Sequence, residues 1–381
     1  MAGGVVGTMR WLEILVIAVY VLELTGSAFM VALMLVLRSL PMFLLGSVSG
    51  AIADQVSRKL LQATALIAAA VVSAVLAVLA LSGLIELWHI GTGAFLSGML
   101  WSFEFPVRRT MLGEIAGPRG IAAGMALDSA TTNGTRMLGP ALGGLIFETV
   151  GLPGAYVLGA ALYGIGFGLM VSLQYTSTAA LVPNWNVVQT VRDGLRYVRA
   201  DRAIVGTLAI TVIMNLWVFP FAAMVPVIGE AELGLSAFPI GILMSAEGTG
   251  AFIGALLIAN LARPAWFRRI YLCGSFLVGS MVVVFALSPW YGLSLALLFI
   301  AGFGAAGFSA MQTTMMFLQA PPEMRGRVMG VVSVCIGAGP LGVLHIGLLA
   351  TWLDASTAVL IVAIEGLVAL ALARAYWPEI R

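Results

Sequence analysis

Long apolar stretches separated by short polar connections make up almost the whole chain. Each stretch is close to the ~20 residues that an α-helix needs to cross the hydrocarbon of a bilayer. The pattern therefore predicts twelve membrane-spanning helices. The predicted segments cover residues 4–24, 29–52, 60–82, 89–112, 122–148, 154–174, 204–228, 238–260, 269–287, 291–317, 328–350 and 356–376.

Basic residues are confined to alternate connections. The basic set carries Arg58, Lys59, Arg119, Arg192, Arg196, Arg199, Arg202, Arg263, Arg268, Arg269, Arg325 and Arg327. The opposite set has no Lys or Arg and carries Glu86, Glu148, Glu230, Glu232 and Asp354. Because Lys and Arg are enriched in cytoplasmic loops, this asymmetry predicts that the basic connections and both termini face the cytoplasm.

The longest polar connection divides the predicted segments into two sets of six. Its apolar residues recur at three- and four-residue steps, with charges between them: Trp185, Val188, Val191, Leu195 and Val198, then Arg192, Asp193, Arg196 and Arg199. This spacing predicts an amphipathic helix along the inner membrane interface. A passive strap between domains, a calmodulin-type target and a lipid sensor are alternative roles. The predicted domains are residues 1–174, the linker 175–203, and residues 204–381.

The two halves repeat one feature of spacing. Gly46 and Gly50 in the second segment are four residues apart, as are Gly250 and Gly254 in the eighth. Small residues at this spacing form a groove that lets a neighbouring backbone approach closely. The second copy lacks the acid that follows, because Ile258 stands at the position equivalent to Asp54. The pattern predicts an internal repeat.

Composition restricts the class of protein. Of the 381 residues, 61% are hydrophobic and 9% are charged, against about 25% charged in soluble domains. The net charge of +2 and the lack of a basic tract argue against nucleic-acid binding. Cys273 and Cys335 lie in apolar segments without partners at metal-ligand spacing, so we expect packing residues and no metal site.

Ionisable residues inside the apolar segments are the main functional signal, because each is costly in a bilayer unless it is paired or hydrated. They are Arg10, Glu13, Arg38, Glu104, Arg108, Arg109, Asp128, Arg136, Glu247, His345 and Glu365. Arg10 and Glu13 are three apart on one helical face, which predicts either a structural ion pair or a proton-carrying Glu13. Glu104 and Arg108 have the spacing of a helical ion pair, although Arg108 and Arg109 could instead extend to the cytoplasmic interface.

The second half has fewer charges at membrane depth. Glu247 is its deepest acid, and Asn215, Trp217, Gln312 and His345 are groups that a cavity could use. A single histidine in a helical bundle is also compatible with plain packing. Met311, Met315 and Met316 could line an adaptable pocket or fill the core.

Two motifs carry a family resemblance. The stretch GSVSGAIADQVSRK, with Gly50, Asp54, Arg58 and Lys59, resembles the signature loop between helices 2 and 3 of the major facilitator superfamily. In the fifth segment, the run of Gly139, Pro140, Gly143 and Gly144 resembles the GPxxGG antiporter signature of exporters in that superfamily. The more distal glycines of that signature fall on Thr135 and Ala126.

Further short motifs resemble one branch of the superfamily, which contains enterobactin and other siderophore exporters and macrolide efflux proteins. They are P-x-R-(x)5-E at Pro106, Arg108 and Glu114; N-x-x-R-x-x-G-P at Asn133, Arg136, Gly139 and Pro140; and the runs ELTGS (23–27), RSLP (38–41) and RGRV (325–328). The resemblance implies an all-α polytopic protein of the bacterial cytoplasmic (inner) membrane. Its twelve transmembrane helices would form two pseudo-symmetric six-helix bundles.

The resemblance also implies roles for the candidate residues. The cytoplasmic gate would comprise Gly50, Asp54, Arg58 and Lys59, unless these charges only set topology. The hinge of helix 5 would comprise Gly139, Pro140, Gly143 and Gly144. Proton-coupling candidates are Glu13, Glu104, Asp128 and Glu247. Substrate-cavity candidates are Arg38, Arg108, Asn133, Arg136, Asn215, Trp217, Gln312 and His345.

These features predict a secondary transporter and not an enzyme. The chain has no P-loop, nucleophile triad or metal-ligand motif, so we expect an ion gradient to drive transport and no cofactor. The predicted activity is proton-coupled export of an amphiphilic small molecule, a drug-like compound or a siderophore, by a monomer using alternating access. Proton-coupled uptake and a non-transporting sensor or assembly subunit are the alternatives.

Overall fold

The computed structural model of this protein describes residues 2–55, 57–175 and 187–380, without the side chains of 46–55 and of some positions in 105–126, 187–193 and 322–327. Every regular element in these residues is helical. The α-helices are α1 (Ala2–Thr25), α2 (Ala28–Gln55), α3 (Arg58–Leu81), α4 (Leu87–Ser172), α5 (Val187–Ala200), α6 (Arg202–Ile213), α7 (Phe221–Ala231), α8 (Ala237–Leu261), α9 (Phe267–Ala286), α10 (Tyr291–Gln319), α11 (Pro322–Ile336), α12 (Gly339–Leu349) and α13 (Ala355–Tyr376). A π-helix, Met214–Val218, follows α6, and short 3-10 turns lie at Pro264–Trp266 and Pro378–Ile380.

The longest helical stretch, α4, folds back on itself twice. If straight, its 86 residues would extend about 130 Å, several times the thickness of a bilayer. The Arg108 guanidinium nevertheless pairs with the Asp128 carboxylate, so the chain reverses between them. Gly151 has a φ of 75°, which interrupts the helical path, and Gly143 and Gly159 on either side of it both pack against α1. We therefore describe three arms of α4, at residues 87–112, 122–148 and 154–172.

The helices have the lengths that the hydropathy pattern predicts. Ten stretches of the described residues are long and apolar enough to cross a membrane. One of them, Leu127–Ser172, has 46 residues and contains most of the second arm and the whole third arm of α4. The first arm supplies a further predicted segment. The α6–π–α7 run forms one stretch of 30 residues, Arg202–Ala231. The predicted all-α membrane fold with twelve segments is confirmed.

The chain forms two compact units. The first comprises Met1–Gly26, Met34–Trp185 and Ser236–Ser245, and the second comprises Ser27–Leu33, Asn186–Leu235 and Ala246–Arg381. Most of the first half of the chain therefore belongs to one unit and most of the second half to the other, while each unit includes a short segment from the opposite half.

Glycines bring helices of the first unit close together. A side chain at Gly98 would overlap the backbone carbonyl of Arg38, so the first arm of α4 lies directly on α2. Gly139 and Gly143 pack against α1 at Trp11 and Leu12, and Gly144 lies against the backbone of Ala237. The small-residue face predicted in the fifth segment is therefore a packing surface, and α1 is its main partner within this unit.

The second unit repeats one of these contacts. A side chain at Gly302 in α10 would meet the backbone of α8 at Glu247, and Gly250 in α8 meets the carbonyl of Phe299. Gly98 and Gly302 are separated by 204 positions, as are Gly46 and Gly250. The packing of α10 on α8 thus repeats that of the first arm of α4 on α2, which supports the predicted internal repeat.

The predicted amphipathic linker helix is present as α5. Its Val198 is buried in a core with residues of α6 and α11, including Ile204, Val328 and Val331. Trp185 lies outside the described residues. Of the predicted apolar face, Val198 packs within the second unit, whereas Leu195 is 39% exposed.

Candidate functional site

Buried charges in the first unit form two groups of ion pairs. In the first group, the Arg38 Nη1 atom donates to Glu13 Oε2 at 2.9 Å, and both side chains are more than 90% buried. The Tyr163 hydroxyl donates to the same carboxylate oxygen at 3.4 Å, and Arg38 Nη2 donates to the Arg10 carbonyl at 3.4 Å. Glu13 therefore pairs across helices with α2, so the Arg10–Glu13 pair predicted from spacing is wrong.

Arg10 is held by aromatic rings instead. Its guanidinium carbon lies 4.1 Å from the centre of the Trp101 ring and 5.1 Å from that of Trp11. On the second arm of α4, the Arg136 guanidinium carbon lies 5.2 Å from the Trp11 ring centre. The two arginines thus share Trp11, and cation–π attraction of this kind strengthens when the cation is desolvated.

The second group joins two arms of α4 through one guanidinium. Arg108 Nε donates to Glu104 Oε1 at 2.9 Å, which confirms the helical pair predicted from spacing. The same guanidinium pairs with Asp128, and Gln62 Nε2 donates to Glu104 at 3.3 Å. Arg108 therefore turns inward to two carboxylates instead of extending to the interface. Removing one partner of a buried pair costs about 3–5 kcal/mol, because the other charge is left uncompensated.

A small cavity of about 30 Å³ connects the two groups. Its polar lining consists of Arg10, Arg38, Ser97, Trp101, Glu104 and Tyr163. A cavity of this size with several polar partners holds about one water molecule. Arg38 and Tyr163, which contact Glu13, line one part of it, and Glu104 of the second group lines another.

A larger cavity of about 510 Å³ also belongs to the first unit but lies away from these charges. Its lining includes Tyr20, Glu23, Glu148 and Gly151. The Glu148 carboxylate accepts a hydrogen bond from the Phe238 amide at 2.9 Å. None of the five ion-paired residues Glu13, Arg38, Glu104, Arg108 and Asp128 lines it, so we place the candidate site at the ion pairs despite the smaller volume.

The predicted cytoplasmic gate is described only at its basic end, because the side chains of Gly50 and Asp54 lie outside the described residues. Arg58, at the start of α3, pairs with Glu114, and the same carboxylate accepts a hydrogen bond from the Tyr175 hydroxyl. Lys59 Nζ donates to the carbonyls of Val171 and Leu173 at 2.8 and 2.6 Å, at the end of α4. Arg58 and Lys59 therefore hold the start of α3 to the residues just after the first arm of α4 and to the end of the third arm, a role that the sequence motif alone does not reveal.

Asn133, the remaining candidate of the first unit, forms a hydrogen bond within its own helix. Asn133 Nδ2 donates to the Ser129 carbonyl of its own helix at 3.0 Å. It is not among the residues that line the small cavity. Pro140, in the predicted hinge, is buried, and the amide that follows it, of Ala141, donates to Ser245 Oγ at 3.0 Å.

In the second unit, a neutral hydrogen-bond network surrounds Thr211. Gln312 Nε2 donates to Thr211 Oγ1 at 2.6 Å, and the Tyr271 hydroxyl lies 3.3 Å from the same oxygen. Tyr271 also donates to the Thr207 carbonyl at 2.9 Å and stacks on Phe308. Of the predicted residues, Gln312 belongs to this network. Tyr271 and Thr211 were missed, because neutral polar groups in apolar segments give little signal in sequence.

The other candidates of the second unit are dispersed. Asn215 Nδ2 donates to the Thr211 carbonyl at 2.9 Å, and Trp217, in the π-helix, packs against Gly366. Glu247 is buried in α8. His345 Nδ1 lies 3.8 Å from Glu365 Oε2, and each side chain is about 40% exposed. His345 is therefore a partly exposed partner of Glu365 and not a packed core residue.

Comparison with known proteins agrees with this architecture. The family described as transmembrane secretion effector matches residues 3–379. The multidrug efflux pump Tap of Mycolicibacterium fortuitum is 27% identical over 87% of this chain and 83% of its own length. The enterobactin exporter EntS of Shigella boydii is 30% identical over 57% of this chain and 53% of its own length.

Solved structures share the fold at low sequence identity. The nucleoside transporter NupG has a TM-score of 0.72 at 12% identity, covering 98% of this chain and 98% of its own. A POT family transporter in complex with 5-aminolevulinic acid has a TM-score of 0.75 at 11% identity, covering 100% and 96%. With twelve segments, an internal repeat and a family match over nearly its whole length, the chain is a membrane transporter of the transmembrane secretion effector family, within the major facilitator superfamily.

Proposed function

We propose that this transporter exports an amphiphilic small molecule, a drug-like compound or a siderophore, in exchange for protons by alternating access. The names of the efflux relatives support the direction of transport. The observation that carries the proton coupling is the Arg108 guanidinium shared by Glu104 and Asp128. Protonating Asp128 would remove the ion pair between the first and second arms of α4, and protonating Glu104 would remove the pair within the first arm.

The ion pairs relate the charge of the substrate to the sign of coupling. A cationic group binding to Glu104 or Glu13 needs that carboxylate ionised, so substrate and proton compete for it, as exchange requires. An anionic group binding to Arg38 or Arg108 instead displaces a carboxylate, which then binds a proton more readily. Because linkage is reciprocal, the first case gives antiport and the second gives co-transport. Proton-driven export through these residues thus favours substrates with a cationic head.

Transport in proteoliposomes tests this proposal. Cationic dyes, macrolides and siderophores would be compared with and without an imposed pH gradient. We expect accumulation driven by the gradient in the wild type, and a loss of at least about tenfold in Glu104→Gln and Asp128→Asn, because each removes a proton-binding carboxylate from the pair.

Glu379→Gln is the matched control, because this carboxylate pairs with Arg202 near the C-terminus and lies outside the buried groups. It should transport like the wild type. Fluxes that are identical with and without the pH gradient would refute antiport. Accumulation in the direction of the proton flow would favour uptake by co-transport.

A further inference from the structure

One face of α5 carries three exposed arginines. Arg192, Arg196 and Arg199 are spaced four and three residues apart, which places them within a sector of about 60° around the helix. The opposite side of α5 is buried at Gly194 and Val198. The helix thus presents a basic face away from the protein, here called the α5 arginine face.

Packing fixes the direction of this face. Val198 is 5% exposed and contacts a core formed by α6 and α11, including Leu208 and Val332. The Tyr197 hydroxyl donates to the Gln319 carbonyl at the end of α10 at 3.1 Å. Because Val198 is packed against these helices, the arginines on the other side of α5 face away from the protein.

The three arginines have no carboxylate within ion-pair distance among the described side chains. Arg202, two residues after α5 ends, provides a contrast: its Nε donates to Glu379 at 2.7 Å. α5 also contains one acid, Asp193, whose side chain is not described. The arginine face therefore keeps a net positive charge that the protein itself leaves available to a partner.

The position of α5 along the chain indicates where that partner lies. α5 ends at Ala200, and the next membrane-spanning stretch, Arg202–Ala231, begins two residues later. A helix this close to the start of a span lies at the depth of the lipid headgroups or just outside it. Anionic headgroups are thus the nearest complementary charges.

We propose that the α5 arginine face binds the headgroups of anionic phospholipids. The contact is electrostatic, and each arginine contributes about fivefold to headgroup affinity at low salt. Through Val198 and Tyr197, a bound headgroup layer would hold α5 against α11 and the end of α10. This inference is independent of the transported substrate and of proton coupling.

The test compares the full-length protein in nanodiscs of phosphatidylcholine alone and of equimolar phosphatidylcholine and phosphatidylglycerol. Thermal stability and the number of phosphatidylglycerol molecules retained in native mass spectrometry would both be measured. For the wild type we expect a higher Tm in the anionic discs, and the increase should vanish at high salt. The triple variant R192Q/R196Q/R199Q should lose the increase and retain fewer anionic lipids.

The chain offers a matched control. R263Q/R268Q/R269Q removes the same charge from exposed positions in the connection before α9 and at its start. These arginines also lie at or beside the start of a membrane-spanning stretch, so this variant measures what any basic residue near the headgroups contributes, and it should lose only a small part of the increase in Tm. R192K/R196K/R199K, which preserves charge, should keep most of it and shows that the positions tolerate substitution. The proposal is overturned if the α5 glutamine variant keeps the full response, or if the control variant loses as much.

Discussion

In the first unit, buried charged side chains pair with one another, whereas a hydrogen-bond network in the described part of the second unit joins neutral side chains. Glu13, Arg38, Glu104, Arg108 and Asp128 form ion pairs in the first unit, and Gln312, Thr211 and Tyr271 form hydrogen bonds in the second. Gly98 and Gly302 nevertheless make equivalent helix contacts in the two units. A repeat can therefore preserve how helices meet while its buried polar chemistry diverges.

The largest effect should come from disrupting the glycine-mediated helix contact that occurs in both units. In Gly98→Val and Gly302→Val, the new side chain would overlap a backbone carbonyl of the neighbouring helix, which cannot move without separating the helices. We expect each variant to lose about 3 kcal/mol or more of stability, or to fail to accumulate. Thermal unfolding in detergent would measure this. Gly164→Val and Gly292→Val are the controls, since neither glycine has a neighbouring atom within 4 Å of an added Cβ; an equal loss in the controls would contradict the role of helix contact.

The next largest effect should distinguish the charged pairs of the first unit from the neutral network of the second. Arg38→Met leaves the buried Glu13 carboxylate without its guanidinium, and we expect a loss of about 3–5 kcal/mol. The double variant Arg38→Met/Glu13→Leu should recover much of that loss, because both charges are removed. In the second unit, Gln312→Leu should cost only about 1–3 kcal/mol, since Tyr271 remains within reach of Thr211. Chemical unfolding would measure the loss in each variant, with a double-mutant cycle for Arg38 and Glu13. Equal losses for Arg38→Met and Gln312→Leu would contradict the difference between charged and neutral networks.

The smallest effect concerns the helix caps of the two units. The Asp354 carboxylate accepts hydrogen bonds from the Thr357 hydroxyl and amide at the start of α13, which lower the pKa of Asp354 below its usual range. In the first unit, the neutral Ser57 hydroxyl caps α3, accepting from the Leu60 amide. Asp354→Ala and Ser57→Ala should each cost about 1 kcal/mol at neutral pH.

The stability contributions of the two caps should respond differently to acidic pH. A carboxyl whose pKa is lowered by folding stabilises the protein above its unfolded pKa of about 3.9, and this contribution is lost as the pH falls through the folded pKa. The cost of Asp354→Ala should therefore shrink below about pH 4, while that of Ser57→Ala stays constant. Unfolding midpoints measured from neutral to acidic pH would test this, and a parallel response of the two variants would contradict it.

The sequence predicted the fold better than the site. Apolar length alone gave the twelve segments, because the bilayer imposes one length on every crossing. The four-residue spacing of Glu104 and Arg108 also predicted their ion pair, since the two residues lie one turn apart on the same helix. The pairing of Glu13 with Arg38 depends instead on how α1, α2 and α4 meet, which local spacing does not encode.

The partners missed from sequence have a common cause. Gln62, Tyr163 and Tyr271 are uncharged residues within apolar helices, so nothing in their surroundings distinguishes them until the fold brings them to a charge or a hydroxyl. Glu114 appeared only as a motif position, yet it is the carboxylate that Arg58 and Tyr175 share. For α5 the amphipathic pattern was visible, but its partner helix α11 is more than a hundred residues away along the chain.

The bridging position of Arg108 has a mechanical consequence. A buried cation that pairs with a single acid loses its only counter-charge when that acid is protonated. The free-energy cost of leaving the cation unpaired would oppose the protonation. Arg108 instead pairs with two acids: Asp128 on the second arm, and Glu104, which lies one turn away on the same arm. In the proposed proton exchange, protonation of Asp128 would remove its ion pair with Arg108 between the two arms, while the Glu104–Arg108 pair within the first arm would remain.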